Sequence, residues 1–258
     1  MNLNLNYISQ GHGIPLVFQH GLTANIKQVE TLLDNMEEIC LLSIDCPGHG
    51  SAGLPDDYIP SFDHYSDEVI RFLDQQGIEQ AIFGGISMGS GIAVNIVLRY
   101  PNRVKALMLV RPAWLDYPYP ENLKILLPAA EFLNNPGGEE WFRQLQQFKD
   151  ITLPAVAESI LGVFSTDQQP GLAKVIKHMV GDRPFSDMEH LRKIKVPCLI
   201  LGNNDDPLHP YEMAEKIHQS IPRSVLTKLT SRYIADDLHR QEVRKAIRDF
   251  IQVNKLNL

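Results

Sequence analysis

The chain has 258 residues, 44% of them hydrophobic, which is enough for one large core or for a core with a smaller cap. Its formal net charge of −7 excludes the basic surface that binds nucleic acid, and no apolar stretch reaches the roughly 18 to 20 residues that cross a bilayer. The composition therefore predicts neither nucleic acid nor a membrane as partner. It leaves the oligomeric state open.

The N-terminal residues alternate apolar and polar side chains like an edge strand, and they lack the basic-then-apolar order of a secretion signal. Three cysteines, Cys40, Cys46 and Cys198, lie in or beside predicted buried strands, and an odd number cannot pair completely. We therefore expect reduced cysteines in a cytoplasmic protein. No cysteine–histidine cluster has the spacing of a metal site, so we expect no metal.

Short apolar segments alternate with amphipathic helical segments along most of the chain. The predicted strands are 3–8, 15–19, 39–44, 80–83, 104–110, 196–201 and 225–230. Gly11-His12-Gly13 predicts a hairpin that joins the first two strands. Helical spacing of apolar residues covers 60–76 and 91–100 and begins again at Arg240. This alternation predicts an α/β protein with a mostly parallel central sheet and helices on both faces.

The interval from 112 to 187 departs from this alternation. It contains several helical patterns, separated by breaks at Pro136-Gly137-Gly138, Pro154 and Pro170-Gly171, and no convincing strand. We therefore predict a core built from residues 1–111 and 188–258, with a helical insertion formed by residues 112–187.

The most informative motif is Gly85-Ile86-Ser87-Met88-Gly89, which lies between a predicted strand and a predicted helix. A serine on so tight a turn is forced out of the sheet, with its hydroxyl exposed in front of the N-terminal amides of the new helix. Side chains at the two glycines would collide with the neighbouring strand or helix as the chain doubles back. The motif therefore predicts an exposed serine hydroxyl.

This motif resembles the nucleophile elbow of the α/β-hydrolase family, and three further segments agree with it in the family's order. They are Phe18-Gln19-His20-Gly21-Leu22, then Ile44-Asp45-Cys46-Pro47-Gly48-His49-Gly50, then Leu199-Ile200-Leu201-Gly202 with Asp205, Asp206 and His239 after it. The resemblance spans about residues 1–111 and 188–258. It implies the α/β-hydrolase fold, with the insertion of residues 112–187 as the family's helical cap.

A serine hydroxyl needs a base to accept its proton, and the base needs an acceptor that fixes its tautomer. By resemblance the base is His239, which follows the last predicted strand and immediately precedes the predicted C-terminal helix. His20 and His49 match structural positions of the family, and His209 is expected to support its loop or to line the pocket. The acidic pair Asp236-Asp237 before the base predicts either a raised histidine pKa or a cap for the helix that follows.

Two adjacent aspartates compete for the position of the orienting acid. Asp206 begins the segment Asp-Pro-Leu-His-Pro, the form in which the family usually presents its acid, and it is favoured. Asp205 has the more usual distance from Gly202, and Asp116 is a remote third choice. By resemblance, the backbone N–H groups of Leu22 and Met88 form the oxyanion hole.

Arg111 and the aromatic residues after it follow the predicted strand that ends at 110. Arg111 could bind an anionic group of the substrate, but an internal ion pair with a carboxylate such as Asp45 is favoured. Trp114, Tyr117 and Tyr119 could roof the pocket or pack at the base of the insertion.

The resemblance implies a carboxylesterase-like serine hydrolase without a cofactor, which cleaves an ester-like, small and partly apolar acyl substrate through an acyl-enzyme. Ser87, Asp206 and His239 form the expected catalytic triad. A hydrolase of carbon–carbon bonds, a lyase or a perhydrolase would use the same triad. A non-catalytic small-molecule binder on the same fold is the remaining alternative.

Overall fold

A computed structural model of the chain describes residues 5–165 and 171–256, and it contains a seven-stranded sheet. The strand order is β1-β3-β2-β4-β5-β6-β7, with β1 antiparallel to β3 and every other pair parallel. The strands are β1 (Tyr7–Gln10), β2 (Ile14–Gln19), β3 (Ile39–Ile44), β4 (Ala81–Ile86), β5 (Val104–Val110), β6 (Cys198–Asn203) and β7 (Ser224–Leu229). The predicted α/β class and the mostly parallel sheet are confirmed.

Helices cover both faces of the sheet. The α-helices of the described residues are α1 (Ile26–Leu32), α2 (Phe62–Gln75), α3 (Met88–Arg99), α4 (Leu126–Phe132), α5 (Gly138–Arg143), α6 (Gln146–Lys149), α7 (Pro154–Leu161), α8 (Leu172–Val180), α9 (Tyr211–Ser220) and α10 (Asp236–Val253). Successive strand residues point to opposite faces, so Val17 packs with α2 and α3, whereas Leu16 and Phe18 pack with α1 and α10. Two hydrophobic clusters result, one on each face.

Three expectations about chain ends and turns need correction. The first strand is Tyr7–Gln10 rather than 3–8, and residues 3 and 4 lie outside the described residues. The predicted hairpin is wrong, because β3 lies between β1 and β2 in the sheet. The C-terminal helix begins at Asp236 and not at Arg240, since Asp236 and Asp237 occupy its first turn, where acidic side chains are favoured.

The insertion between β5 and β6 is helical in its described part. Residues 112–165 and 171–187 hold α4 to α8 and no strand. Its apolar residues, Phe142 and Val163 among them, belong to the same hydrophobic cluster as α2 and α3. The Trp114 ring meets Phe62 of α2 edge to face at 5.5 Å. The insertion therefore packs directly on the core, and its role as a separate cap remains a prediction.

Within residues 5–165 and 171–256, no helix has the length and apolar content needed to span a bilayer. Nor do three or more metal-ligating side chains converge there in a group that could hold a metal ion. Cys40, Cys46 and Cys198 are free thiols, as expected, and the last two are buried.

Candidate active site

Ser87 occupies a strained turn between β4 and α3. Its backbone angles are φ 55° and ψ −110°, a conformation that side chains rarely adopt. A Cβ atom on Gly85 would lie 2.3 Å from the carbonyl carbon of Gly89, and one on Gly89 would lie 2.1 Å from the carbonyl oxygen of Gln19. The predicted steric role of both glycines is confirmed. The backbone holds Ser87 in one position at the carboxyl edge of the sheet.

The loop after β2 passes beside this serine. A Cβ atom on Gly21 would lie 3.6 Å from Cβ of Ser87. The next residue, Leu22, lines a cavity together with Ser87. Met88 is the first residue of α3, where a helical N–H has no acceptor within the helix. Across the described residues, no hydrogen bond joins Oγ of Ser87 to another group, and 8% of the residue remains exposed.

His20 fixes that loop to β3. Its Nδ1 lies 2.8 Å from the carbonyl oxygen of Gly21, and its Nε2 accepts a hydrogen bond of 3.1 Å from the backbone N–H of Cys46. Since both ring nitrogens are used, His20 has the structural role that the sequence predicts. The ring of His49 lies 4.8 Å from that of His20.

Asp206 lies in the loop after β6, and its buried carboxylate has two partners. Oδ1 lies 2.9 Å from Nδ1 of His209, and Oδ2 accepts a hydrogen bond of 3.1 Å from Nη1 of Arg111. Burial alone would raise the pKa of Asp206, but His209 and Arg111 hold it well below its usual range. Asp205, in contrast, is exposed, and Asp116 accepts a hydrogen bond from the backbone of Met188.

The internal ion pair expected for Arg111 is present, but its partner is Asp206 and not Asp45. Strand order explains the difference, because Arg111 follows β5 and Asp206 follows the adjacent β6, whereas β2 and β4 lie between β5 and β3. Asp45 instead accepts hydrogen bonds from the backbone of Ile26 and Ser51 at the end of its own strand.

His239 does not form the expected pair with Asp206. Because α10 begins at Asp236, His239 lies in the first turn of this helix, and its Nδ1 is 2.8 Å from the carbonyl oxygen of Thr230. Burial and then the charge of Arg111 lower its pKa to about 4. It lines a second cavity, which Arg111 also borders and whose described lining does not include Ser87.

His209 is the imidazole that Asp206 holds. An ionised carboxylate only accepts hydrogen bonds, so Nδ1 of His209 carries the hydrogen and Nε2 of the neutral ring is an acceptor. Burial lowers the pKa of His209, and the charge of Asp206 opposes that effect. His209 lines the same cavity as Ser87, which is one of the two positions expected for it.

The cavity at Ser87 has a volume of about 270 Å³ and lies between the sheet edge and the insertion. Its apolar wall comes mainly from the loops and helices after β5 and consists of Leu22, Trp114, Leu123, Leu126, Ile160, Val163 and Leu208. Trp114 is buried and donates to the carbonyl of Met179, whereas Tyr117 and Tyr119 are exposed on the surface.

Two further lining residues, Arg232 and Tyr233, were not singled out from the sequence. They occupy the loop between β7 and α10, where the resemblance predicted the approach to the base. The acidic pair Asp236-Asp237 indicates that α10 begins there. A helix start at this position would have assigned Arg232 and Tyr233 to the loop before it. The hydroxyl-bearing Ser87, the imidazole of His209 that Asp206 orients, and two arginines therefore border one cavity.

Comparison with known proteins gives a consistent result. A family model described as the alpha/beta hydrolase fold matches residues 14–233. A pimeloyl-[acyl-carrier protein] methyl ester esterase of Neisseria meningitidis serogroup B is 26% identical over 244 residues, which cover 90% of this chain and 91% of that protein. A putative non-heme haloperoxidase of Mycobacterium phage D29 is 35% identical over 118 residues, which cover 45% of this chain and 41% of that protein.

Among solved structures, the enol-lactonase of Burkholderia xenovorans LB400 superposes with a TM-score of 0.76 at 19% identity. The superposition covers 97% of this chain and 98% of that one. At this level of identity the likeness shows the fold.

Proposed function

The chain belongs to the α/β-hydrolase family and is an enzyme of the hydrolase type, and we propose that it is a serine hydrolase with Ser87 as nucleophile, His209 as base and Asp206 as orienting acid. Its proposed substrate is a small, partly apolar ester, which fits a cavity of about 270 Å³ lined by both apolar and polar side chains.

The observation that carries this proposal is the hydrogen bond of 2.9 Å between Asp206 and Nδ1 of His209. It fixes the tautomer in which Nε2 can accept a proton, which is the function of the acid in a catalytic triad. His209 and Ser87 also border one cavity, so a substrate bound there would meet both. Catalytic hydrogen bonds are often formed only once substrate is bound.

In the proposed reaction, Oγ of Ser87 attacks the acyl carbon while Nε2 of His209 takes the hydroxyl proton. The tetrahedral intermediate then expels the alcohol, which receives that proton from His209. Water attacks the resulting acyl-enzyme while His209 takes its proton. The bond between the acyl carbon and Oγ of Ser87 then breaks, Oγ receives that proton from His209, and the acid product leaves. The backbone N–H groups of Met88 and Leu22 are the proposed oxyanion donors, since Met88 begins α3 directly after Ser87 and Leu22 lines the same cavity as Ser87.

His239, the base expected from the sequence, is proposed to hold the loop after β7 against α10. Its hydrogen bond to Thr230 and its position within the first helical turn support this role. Its low pKa, about 4, reflects burial and the neighbouring charge of Arg111 and agrees with a neutral structural imidazole.

The test uses a fluorophosphonate probe and 4-nitrophenyl butyrate with the full chain. Ser87→Ala should abolish both labelling and turnover. Ser159→Ala, which removes a hydroxyl from the same cavity, is the matched control and should retain both. Labelling or ester turnover that survives Ser87→Ala would contradict the proposal. A folded wild-type protein that is neither labelled nor active would favour a small-molecule binder.

A further inference from the structure

The charged side chains in the described lining of the cavity at Ser87 are basic, although the chain as a whole carries a net charge of −7. That lining includes two arginines, Arg111 and Arg232, and no aspartate or glutamate. The nearby carboxylate of Asp206 is shared between Arg111 and His209, and so it compensates one charge only. A cleft of one sign with apolar walls concentrates ligands of the opposite sign.

The guanidinium of Arg111 has more N–H donors than it uses within the described residues. Its side chain is 5% exposed, and the hydrogen bond from Nη1 to Asp206 is the one that it forms within the described residues. Its Nε is buried without an acceptor in this part of the chain. A buried donor without a partner destabilises the fold, and a bound ligand or water that supplies the acceptor would remove this cost. The backbone of Arg111 is also left-handed, at φ 49°, and such strain concentrates at binding sites.

Arg232 approaches the same cavity from the loop after β7. Its nearest described carboxylate is Asp236, at 3.9 Å from Nε to Oδ1, and the other oxygen of Asp236 binds Arg240 at 2.7 Å. The guanidinium of Arg232 lies 5.6 Å from the centre of the Tyr233 ring, which supports it from one side. Arg232 is therefore only partly compensated where it meets the cavity.

We propose that the ester cleaved at Ser87 carries a carboxylate, which Arg111 and Arg232 bind while a short apolar chain lies against the insertion. Planar guanidinium groups match the two oxygens of a carboxylate. The apolar wall, which includes Trp114 and Ile160, accommodates the chain that joins the carboxylate to the ester. This inference rests on the proposed function of Ser87.

The kinetic test compares esters that differ in charge. The substrates are the monomethyl and dimethyl esters of succinic, glutaric and adipic acids, together with 4-acetoxybutanoate and its methyl ester. For at least one pair, kcat/KM of the anionic member should exceed that of the neutral member by about tenfold or more. Sodium chloride should reduce this ratio. Equal or lower kcat/KM for every anionic ester would overturn the inference and leave the proposed hydrolase intact.

Substitutions test whether the arginines cause the preference for anionic over neutral esters. Arg232→Gln should reduce the anionic-to-neutral ratio about tenfold, mainly through KM, and Arg232→Lys should retain part of it. Lys27→Gln removes the same charge from the second cavity only and should leave the ratio within about twofold. A ratio that depends on Lys27 and not on Arg232 would contradict the assignment. Arg111 is not substituted, because Asp206 would then be buried without its cation.

A binding measurement separates the two proposals. Ser87→Ala should bind monomethyl adipate more tightly than dimethyl adipate in a calorimeter, and adding Arg232→Gln should remove that difference. If wild-type protein cleaves no ester but this difference appears, the hydrolase proposal fails and the carboxylate site stands. If no variant distinguishes the two esters, the carboxylate site is wrong.

Discussion

Asp206 and His209 are three residues apart in one loop, and they are joined by a hydrogen bond of 2.9 Å between buried groups. The loop follows β6, whose neighbour β5 ends in the Arg111 that binds the other oxygen of the carboxylate. Adjacent parallel strands thus position the acid, the imidazole and the cation together. Asparagine can replace either candidate histidine and keep a donor at the position of Nδ1, and this allows a matched comparison.

His209→Asn and His239→Asn should have opposite consequences for turnover. Asparagine preserves the donor to Asp206 or to the carbonyl of Thr230 and removes Nε2. We expect His209→Asn to lower kcat by about 10²- to 10⁴-fold, the usual contribution of a general base. His239→Asn should retain kcat within about threefold, because His239 is assigned no contact with substrate. Steady-state kinetics on 4-nitrophenyl butyrate measures both, and the reverse order would restore His239 as the base.

The dependence of kcat/KM on pH should report the environment of His209. Burial lowers its pKa, Asp206 raises it, and Arg111 and Arg232 lower it. The neutral ring is the proposed base, so activity should persist below the ordinary histidine pKa and fall as the pH decreases through the lowered value. Arg232→Gln removes a positive charge and should move this acid limb to higher pH. A limb that stays in place would mean that another group titrates.

The strained backbone at Ser87 should affect the free energy of unfolding of variants at this position. Glycine normally destabilises a protein relative to alanine by roughly 0.5–1 kcal/mol. At φ 55° and ψ −110° the order should reverse, with Ser87→Gly more stable than Ser87→Ala by about 1 kcal/mol, because glycine adopts these angles without strain. Urea unfolding of the two variants measures the difference. If alanine proves the more stable, the turn at Ser87 is not strained.

Gly89 should tolerate no side chain. A Cβ atom there meets the carbonyl oxygen of Gln19 at 2.1 Å, and backbone atoms of β2 cannot move aside without disturbing the sheet. We expect Gly89→Ala to lower the free energy of unfolding by about 3 kcal/mol or more. Gly53→Ala is the control, since its Cβ meets no atom within 4 Å, and it should change stability by less than about 0.5 kcal/mol. Equal urea midpoints for both variants would contradict the packing at the elbow.

The elbow could be predicted from the sequence because its determinants are local. Gly85 and Gly89 surround Ser87 within five residues, and their steric role depends only on a strand that turns at once into a helix. The sheet class also follows from local alternation of apolar segments. These features require no knowledge of which distant residues meet.

The partners of Asp206 depend on distant geometry, and the sequence left them open. His239 lies inside α10 because the helix begins at Asp236, four residues before Arg240. From the sequence alone, the acidic pair at this position is equally compatible with a helix cap and with a charge beside the base. The partner of Arg111 depends on strand order, which puts β6 next to β5. Neither the helix start nor the strand order can be obtained from spacing alone.

The shared hydrophobic cluster of the insertion, α2 and α3 affects how a substrate can enter. A hinged lid needs a loosely packed interface with the rest of the protein, so that it can open. Here, in contrast, Trp114, Phe142 and Val163 belong to the same hydrophobic cluster as the core. Swinging the insertion away as one body would expose that core to water. Access should therefore depend on rearrangement of individual side chains at the mouth, and heat should melt the insertion and the sheet in a single transition.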